Sequence, residues 1–149
     1  MGVIITLEED TIHLLKEVNA GCKMATSSME HVLPCISNQA FARLIHGYNK
    51  EHVSLGDEVH EMLNQHGADE KDPHPMAKAM SWITTEMKIT MESDQKHVAK
   101  LLMDGCNMGI QSVSGYINQY KEANKQSKEI ASRLVKLEQD FMNDLKKYL

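Results

Sequence analysis

The sequence predicts an all-α fold, a bundle of four long helices with one long crossover, and three observations predict it. Apolar residues recur at alternating steps of three and four along four separate stretches. No stretch alternates with period two. Prolines number three, and Pro34, Pro73 and Pro75 fall where helical stretches end or begin. At 149 residues the chain has the length of one domain, residues 1–149, and can bury a core without staples.

Helix one is read over about 7–33 from Thr11, Leu15, Val18, Cys22, Ala25, Met29 and Val32, with Thr6 as its cap and Glu8, Glu9 and Asp10 at the positive end of its dipole. Pro34 ends it. Helix two, about 36–66, carries Phe41, Leu44, Tyr48, Leu55, Val59 and Met62, and the short link makes it an antiparallel neighbour of helix one.

The polar stretch from Gly67 to Pro75 reads as an extended loop, after which Pro75 opens a shorter helix, about 76–91, with Met76, Ala79, Met80, Ile83 and Met87 on its apolar side and Trp82 seating it. Ser93 and Asp94 cap helix three, about 94–121, whose stripe is Ala99, Leu102, Cys106, Ile110, Val113, Ile117 and Tyr120. Helix four, about 125–148, carries Ile130, Leu134, Leu137, Phe141, Leu145 and Tyr148, with Lys146 and Lys147 at the negative end of its dipole. Residues 67–93 suffice to travel the full height of a bundle, so helix three should run parallel to helix two.

Composition narrows the function classes. A net charge of −5 gives no electrostatic footprint for nucleic acid or an anionic membrane. Three cysteines without Cys-x-x-Cys spacing argue against a disulfide framework and for a reducing cytoplasm. The N-terminus lacks a basic region and a long apolar run, and no window reaches the eighteen apolar residues of a membrane span, so a soluble cytoplasmic protein is expected. Aromatic residues are scarce and methionines number 11, which makes them core filling in a plastic helical interior.

Local strings carry a family resemblance: Leu14-Leu15-Lys16-Glu17-Val18-Asn19 in helix one, Leu55-Gly56 in helix two, and Gly105-Cys106-Asn107-Met108-Gly109 followed by Tyr116 in helix three. With the order of elements, they make the chain resemble the ferritin-like superfamily, and within it the small bacterial ferritin-like proteins. That resemblance implies a ferritin-like four-helix bundle and, in the family, two irons held by a carboxylate from each of two helices and a Glu-x-x-His pair from each of the others. This sequence departs from the pattern. Helix one offers Gly21-Cys22-Lys23 near its middle, helix three offers Asn107 and Gln111, and no Glu-x-x-His occurs, since Glu51 is followed by Ser54, Glu129 by Ser132 and Glu138 by Phe141 at the third position. Oxidase or iron-storage activity is therefore not expected.

Two other constellations stand out. Asp10/His13, Asp57/His60 and Asp94/His97 each place an acid and an imidazole on one helical face, the first two pairs expected level at one end of the bundle and the third at the other. Solvated helical faces explain them better than a metal site. Counting along the helices puts Cys22, His52 and Cys106 near mid-height, with both cysteines on apolar stripes and His52 at the edge of one. Two thiolates and an imidazole suit zinc or a similar ion, against the plainer reading of small buried hydrophobes. Gly105 and Gly109 read as helix packing, with a dimer seam as the lesser alternative. No phosphate-binding loop, Gly-x-Ser-x-Gly or His-Glu-x-x-His is present. The expectation is a non-catalytic binding or structural protein without a cofactor, a homodimer on base rates. The alternatives are an iron or zinc protein with a non-standard site and redox activity, and a partner-binding module using helix four near Tyr148-Leu149.

Overall fold

The computed structural model describes residues 2–68 and 95–149, with side chains from Leu7 onward. These residues form four helices: α1 (Gly2–Val32), α2 (Gln39–Gln65), α3 (Gln95–Gln119) and α4 (Lys125–Leu145), with 3₁₀ turns at Leu33–Cys35 and Lys146–Tyr148. The predicted helix 76–91 with Trp82, and the cap at Ser93-Asp94, lie outside the described residues. No described helix is long and apolar enough to cross a membrane.

Helix ends differ from the sequence expectation in informative ways. α1 starts at Gly2, so Thr6 lies inside the helix and the acidic run 8–10 falls beyond its first turn. Asp10 caps a different element: its Oδ2 accepts from the backbone N–H of Glu122, 3.0 Å away, in the α3–α4 turn. α2 opens on Asn38, whose Oδ1 accepts from Phe41 N at 2.9 Å, and α4 on Asn124, whose Oδ1 accepts from Ser127 N at 2.8 Å.

Contacts along the helices fix their directions. Glu8 approaches His66 at 3.9 Å, and a Cβ built on Gly56 would lie 3.4 Å from Cys22 Cβ, so α2 runs antiparallel to α1. Thr11 meets Asn124 at one end and Gly21 meets Leu134 farther along, so α4 runs parallel to α1. His13 stacks on Tyr120, with ring centroids 5.4 Å apart, while Gly21 lies near Val113, so α3 runs antiparallel to α1 and parallel to α2. α2 thus ends, and α3 begins, at opposite ends of the bundle, the connectivity expected from the length of the segment between them.

This register corrects the placement of the Asp-x-x-His pairs. Asp10 lies level with the end of α2, whereas Asp57 and His60 border the same groove as Asn19 and Cys22, so the two pairs do not meet. His13 and His60 are exposed, and Asp94 lies outside the described residues.

The buried side chains form two apolar clusters. One centres on Met29, Val32, Phe41, Ile45, Leu102, Phe141 and Leu145. The other centres on Leu14, Leu15, Val18, Val59, Leu63, Ile130 and Leu134. Several expected core positions move by one residue. Ile45 and Leu63 are buried where Leu44 and Met62 were expected, and Ile110, Ile117, Tyr120 and Tyr148 are only half-buried. On α4 the buried position is Glu138, and Leu137 is half-buried.

Thr11 ties the α3–α4 turn to α1. Its hydroxyl donates to the Leu7 carbonyl at 2.7 Å and accepts from Asn124 N at 2.8 Å, in a side chain 2 % exposed. Thr11→Val preserves shape but orphans the Asn124 N–H, and is expected to cost about 1–3 kcal/mol in urea unfolding. The exposed Arg133–Glu58 fork, at 2.7 and 3.0 Å, is the contrast: Glu58→Gln should cost less than about 1 kcal/mol.

Candidate functional site

Between the two apolar clusters lies a polar layer to which all four helices contribute. α2 supplies His52, which is 0 % exposed, and α4 supplies Glu138, 6 % exposed. The imidazole Nε2 and Glu138 Oε1 stand 2.8 Å apart. The other ring nitrogen, Nδ1, lies 2.7 Å from the Tyr48 carbonyl oxygen, one turn back on the same helix. α3 supplies Cys106, whose thiol hydrogen-bonds to the Glu138 carboxyl, and α1 supplies Cys22 within reach of the same carboxylate charge.

The hydrogen-bond inventory fixes a proton in this layer. A carbonyl only accepts, so Nδ1 must carry a hydrogen to donate to Tyr48. A neutral imidazole then presents a bare lone pair at Nε2, and a carboxylate presents lone pairs as well. At 2.8 Å the two are joined only if one proton lies between them, on either partner. The layer is therefore a hydrogen bond that holds one proton between an imidazole and a carboxyl inside a hydrophobic bundle.

Both sequence-predicted cysteines are buried against this pair. Burial, together with the Glu138 charge, pushes the Cys22 thiol up to about 12. Burial, then the Glu138 charge and the hydrogen bond to it, pushes Cys106 still higher. Both are protonated thiols in the folded chain, which makes them poor nucleophiles. Cys35 is exposed.

Two glycines set the spacing around the layer. Gly56 has no Cβ at the point where α2 approaches Cys22. Gly109 faces the Glu138 carboxyl, since a Cβ there would sit 3.7 Å from its Cδ. For Gly105, the other glycine expected to serve helix packing, nothing among the described residues lies within 4 Å of where its Cβ would be.

A groove of about 310 Å³ runs between α1 and α2 and is lined by Asn19, Cys22, Lys23, Thr26, His52, Val53, Gly56, Asp57 and His60. Its floor reaches the polar layer at Cys22 and His52. Asn49, one turn before His52, has a buried Oδ1 with no hydrogen-bond partner among the described residues.

Cys22 and His52 line that groove, and His52 and Cys106 both bond to Glu138, with His52 fully buried rather than at the edge of its stripe. The residue that joins them, Glu138, was not singled out. Its signal was a charged residue at a core spacing, four after Leu134 and three before Phe141.

The described residues do not fit a di-iron centre. Single positions on α1 and α3 carry Cys22 and Cys106, and the i, i+3 pairs on α2 and α4 are Asn49/His52 and Glu138/Phe141, so one carboxylate and one imidazole remain where two irons require a full anionic set. Glu138 is the only buried carboxylate among the described residues. As folded, no group of three or more His, Cys, Asp and Glu side chains among the described residues is arranged to hold a metal ion. The chain matches no family model, no curated protein and no solved structure.

Proposed function

We propose that this chain is a ferritin-like bundle without a di-iron centre that works as a non-catalytic binding protein through the α1–α2 groove and the polar layer beneath it. The observation that carries the reading is the His52–Glu138–Cys106 network. Glu138 would be a metal ligand in a di-iron bundle, and here its carboxyl bonds to an imidazole and a thiol. A buried pair of titratable groups is a poor way to stabilise a core compared with apolar residues of the same volume, so its presence behind a groove that His52 lines is better suited to binding than to packing.

The test is metal content after anaerobic incubation with Fe(II) and desalting, followed by oxygen uptake. Less than about a tenth of an iron per chain, with no oxygen uptake above buffer, is the expected result. Near two irons per chain with rapid oxygen consumption would overturn it.

The second reading, a metal protein with a non-standard site, is favoured by the convergence of Cys22, His52 and Cys106 on one carboxyl. A homodimer in the cytoplasm is proposed with either reading. The unpaired cysteines support that compartment. The outer face of α3, with Met108 half exposed and nothing among the described residues against Gly105 or Gly115, is where a second copy would sit. Light scattering coupled to size exclusion decides it, a dimer mass being expected and a monomer mass at high concentration overturning it.

A further inference from the structure

We propose that the polar layer is a mononuclear site for a borderline-soft divalent cation of the zinc type, with Cys22 Sγ, His52 Nε2, Cys106 Sγ and the Glu138 carboxylate as donors and the α1–α2 groove as the access route. The inference rests on the reading of this layer as a binding site and adds the chemical class of its ligand.

The donor set selects the ion. Two thiolates, an imidazole and one carboxylate match tetrahedral zinc, whereas magnesium and calcium require oxygen ligands throughout. Each donor comes from a different helix, so the ion would bridge the whole bundle.

His52 is oriented as a ligating histidine is. Its Nδ1–H is spent on the Tyr48 carbonyl at 2.7 Å, which fixes the ring and leaves Nε2 aimed at Glu138. Such a hydrogen bond from the far ring nitrogen is the usual support of a metal-bound imidazole. Across a tetrahedral ion with bonds of 2.0–2.1 Å, two donor atoms stand about 3.3 Å apart. Nε2 and Oε1 are 2.8 Å apart, so the proton between them occupies a gap that must open by only about half an ångström.

The surroundings allow that opening. Gly109 presents no side chain to the Glu138 carboxyl, and Gly56 none to Cys22. Cys22 and His52 are buried but line the groove, so an ion would enter from the α1–α2 side. Asn49 Oδ1, a buried acceptor without a partner among the described residues, lies on the His52 face of α2 and suits a water carried in with the ion.

As folded, the layer is held by protons. Loading exchanges three of them for the ion, one from each thiol and the one shared by His52 and Glu138, and draws the two sulfurs inward to ligand distance.

The experiment is an anaerobic titration of the full reduced chain with Co(II), followed by back-titration with Zn(II). Expected are sulfur-to-cobalt charge-transfer bands in the near ultraviolet and visible bands of a tetrahedral ion, saturating at one cobalt per chain and discharged by one equivalent of zinc. Cys35→Ser should leave the spectrum unchanged. Cys22→Ala and Cys106→Ala should each weaken the charge-transfer bands, and Glu138→Gln should retain them with affinity lowered at least about tenfold.

A folded wild-type chain without thiolate bands, bands that persist in Cys22→Ala/Cys106→Ala, or bands lost in Cys35→Ser would each overturn the site. Should the double variant not fold, the wild-type titration still decides. A negative cobalt result with negligible iron uptake removes this site and leaves the iron-free bundle standing, whereas two irons per chain overturns that bundle reading itself.

Discussion

His52→Ala is expected to cost about 3–5 kcal/mol of folding free energy, among the largest effects of any single substitution in this chain. The imidazole is fully buried, and its removal leaves the Glu138 side chain, itself 8 % exposed, holding a charge or a proton with only the Cys106 thiol to answer it. A cavity beside Phe141, whose ring lies 6.4 Å from that of His52 and edge-on to it, adds to the loss. Replacing both members should behave differently. His52→Leu with Glu138→Leu removes the desolvated pair together, and apolar replacement of a buried pair is often neutral or stabilising, so that double variant should lie within about 1 kcal/mol of the wild type or above it. Glu138→Gln alone should be mild, because an amide N–H can donate to Nε2 without a shared proton. Urea unfolding of the three variants checks the set. A His52→Ala cost no larger than that of a surface substitution would mean that the pair does not sit inside the folded core.

The same pair shows what the sequence could and could not convey. Among the described residues the four long helices, their order and their directions were legible because each shows one apolar stripe, and a stripe at steps of three and four has one structural solution. Mid-height counting put Cys22, His52 and Cys106 near one level, since the rise per residue is constant whatever the loops do. Glu138 escaped because two spacings fit α4 equally well: Leu134, Leu137, Phe141 and Leu134, Glu138, Phe141 both keep to three and four. Hydrophobicity chose Leu137, and packing chose Glu138, since only that position faces His52.

The end-of-bundle register was misjudged for a related reason. The expectation that Asp10/His13 lie level with Asp57/His60 takes a point near residue 34 or 35 as the pivot between α1 and α2, and ignores how the turn at Leu33–Cys35 and the extended residues before Gln39 displace it. The start of α1 misled as well, because an acidic run after a threonine is the usual signature of a helix N-terminus, whereas Asp10 serves a neighbouring turn.

Phe41→Ala is the second substitution expected to cost about 3–5 kcal/mol, and it probes the other half of the core. Phe41 is 0 % exposed in the first turn of α2, its N–H held by Asn38, and its ring stacks on Tyr148 with centroids 4.2 Å apart and planes 9° apart. Truncation therefore opens a cavity and removes the ring against which the C-terminal turn packs, so residues 146–149 should also become more susceptible to carboxypeptidase. Phe41→Leu, which keeps most of the volume, should cost less than about 1.5 kcal/mol. The informative comparison places Phe41→Ala in the His52→Leu/Glu138→Leu background. If the polar layer insulates the two apolar clusters, the cost of Phe41→Ala should be the same in both backgrounds to within about 0.5 kcal/mol. Phe141 belongs to the Phe41 cluster and also touches His52, so a larger difference would mean that Phe141 couples the layer to the core beyond it. An ion bound at the layer would then tighten that half of the bundle, and its loading could be followed from the accessibility of Tyr148.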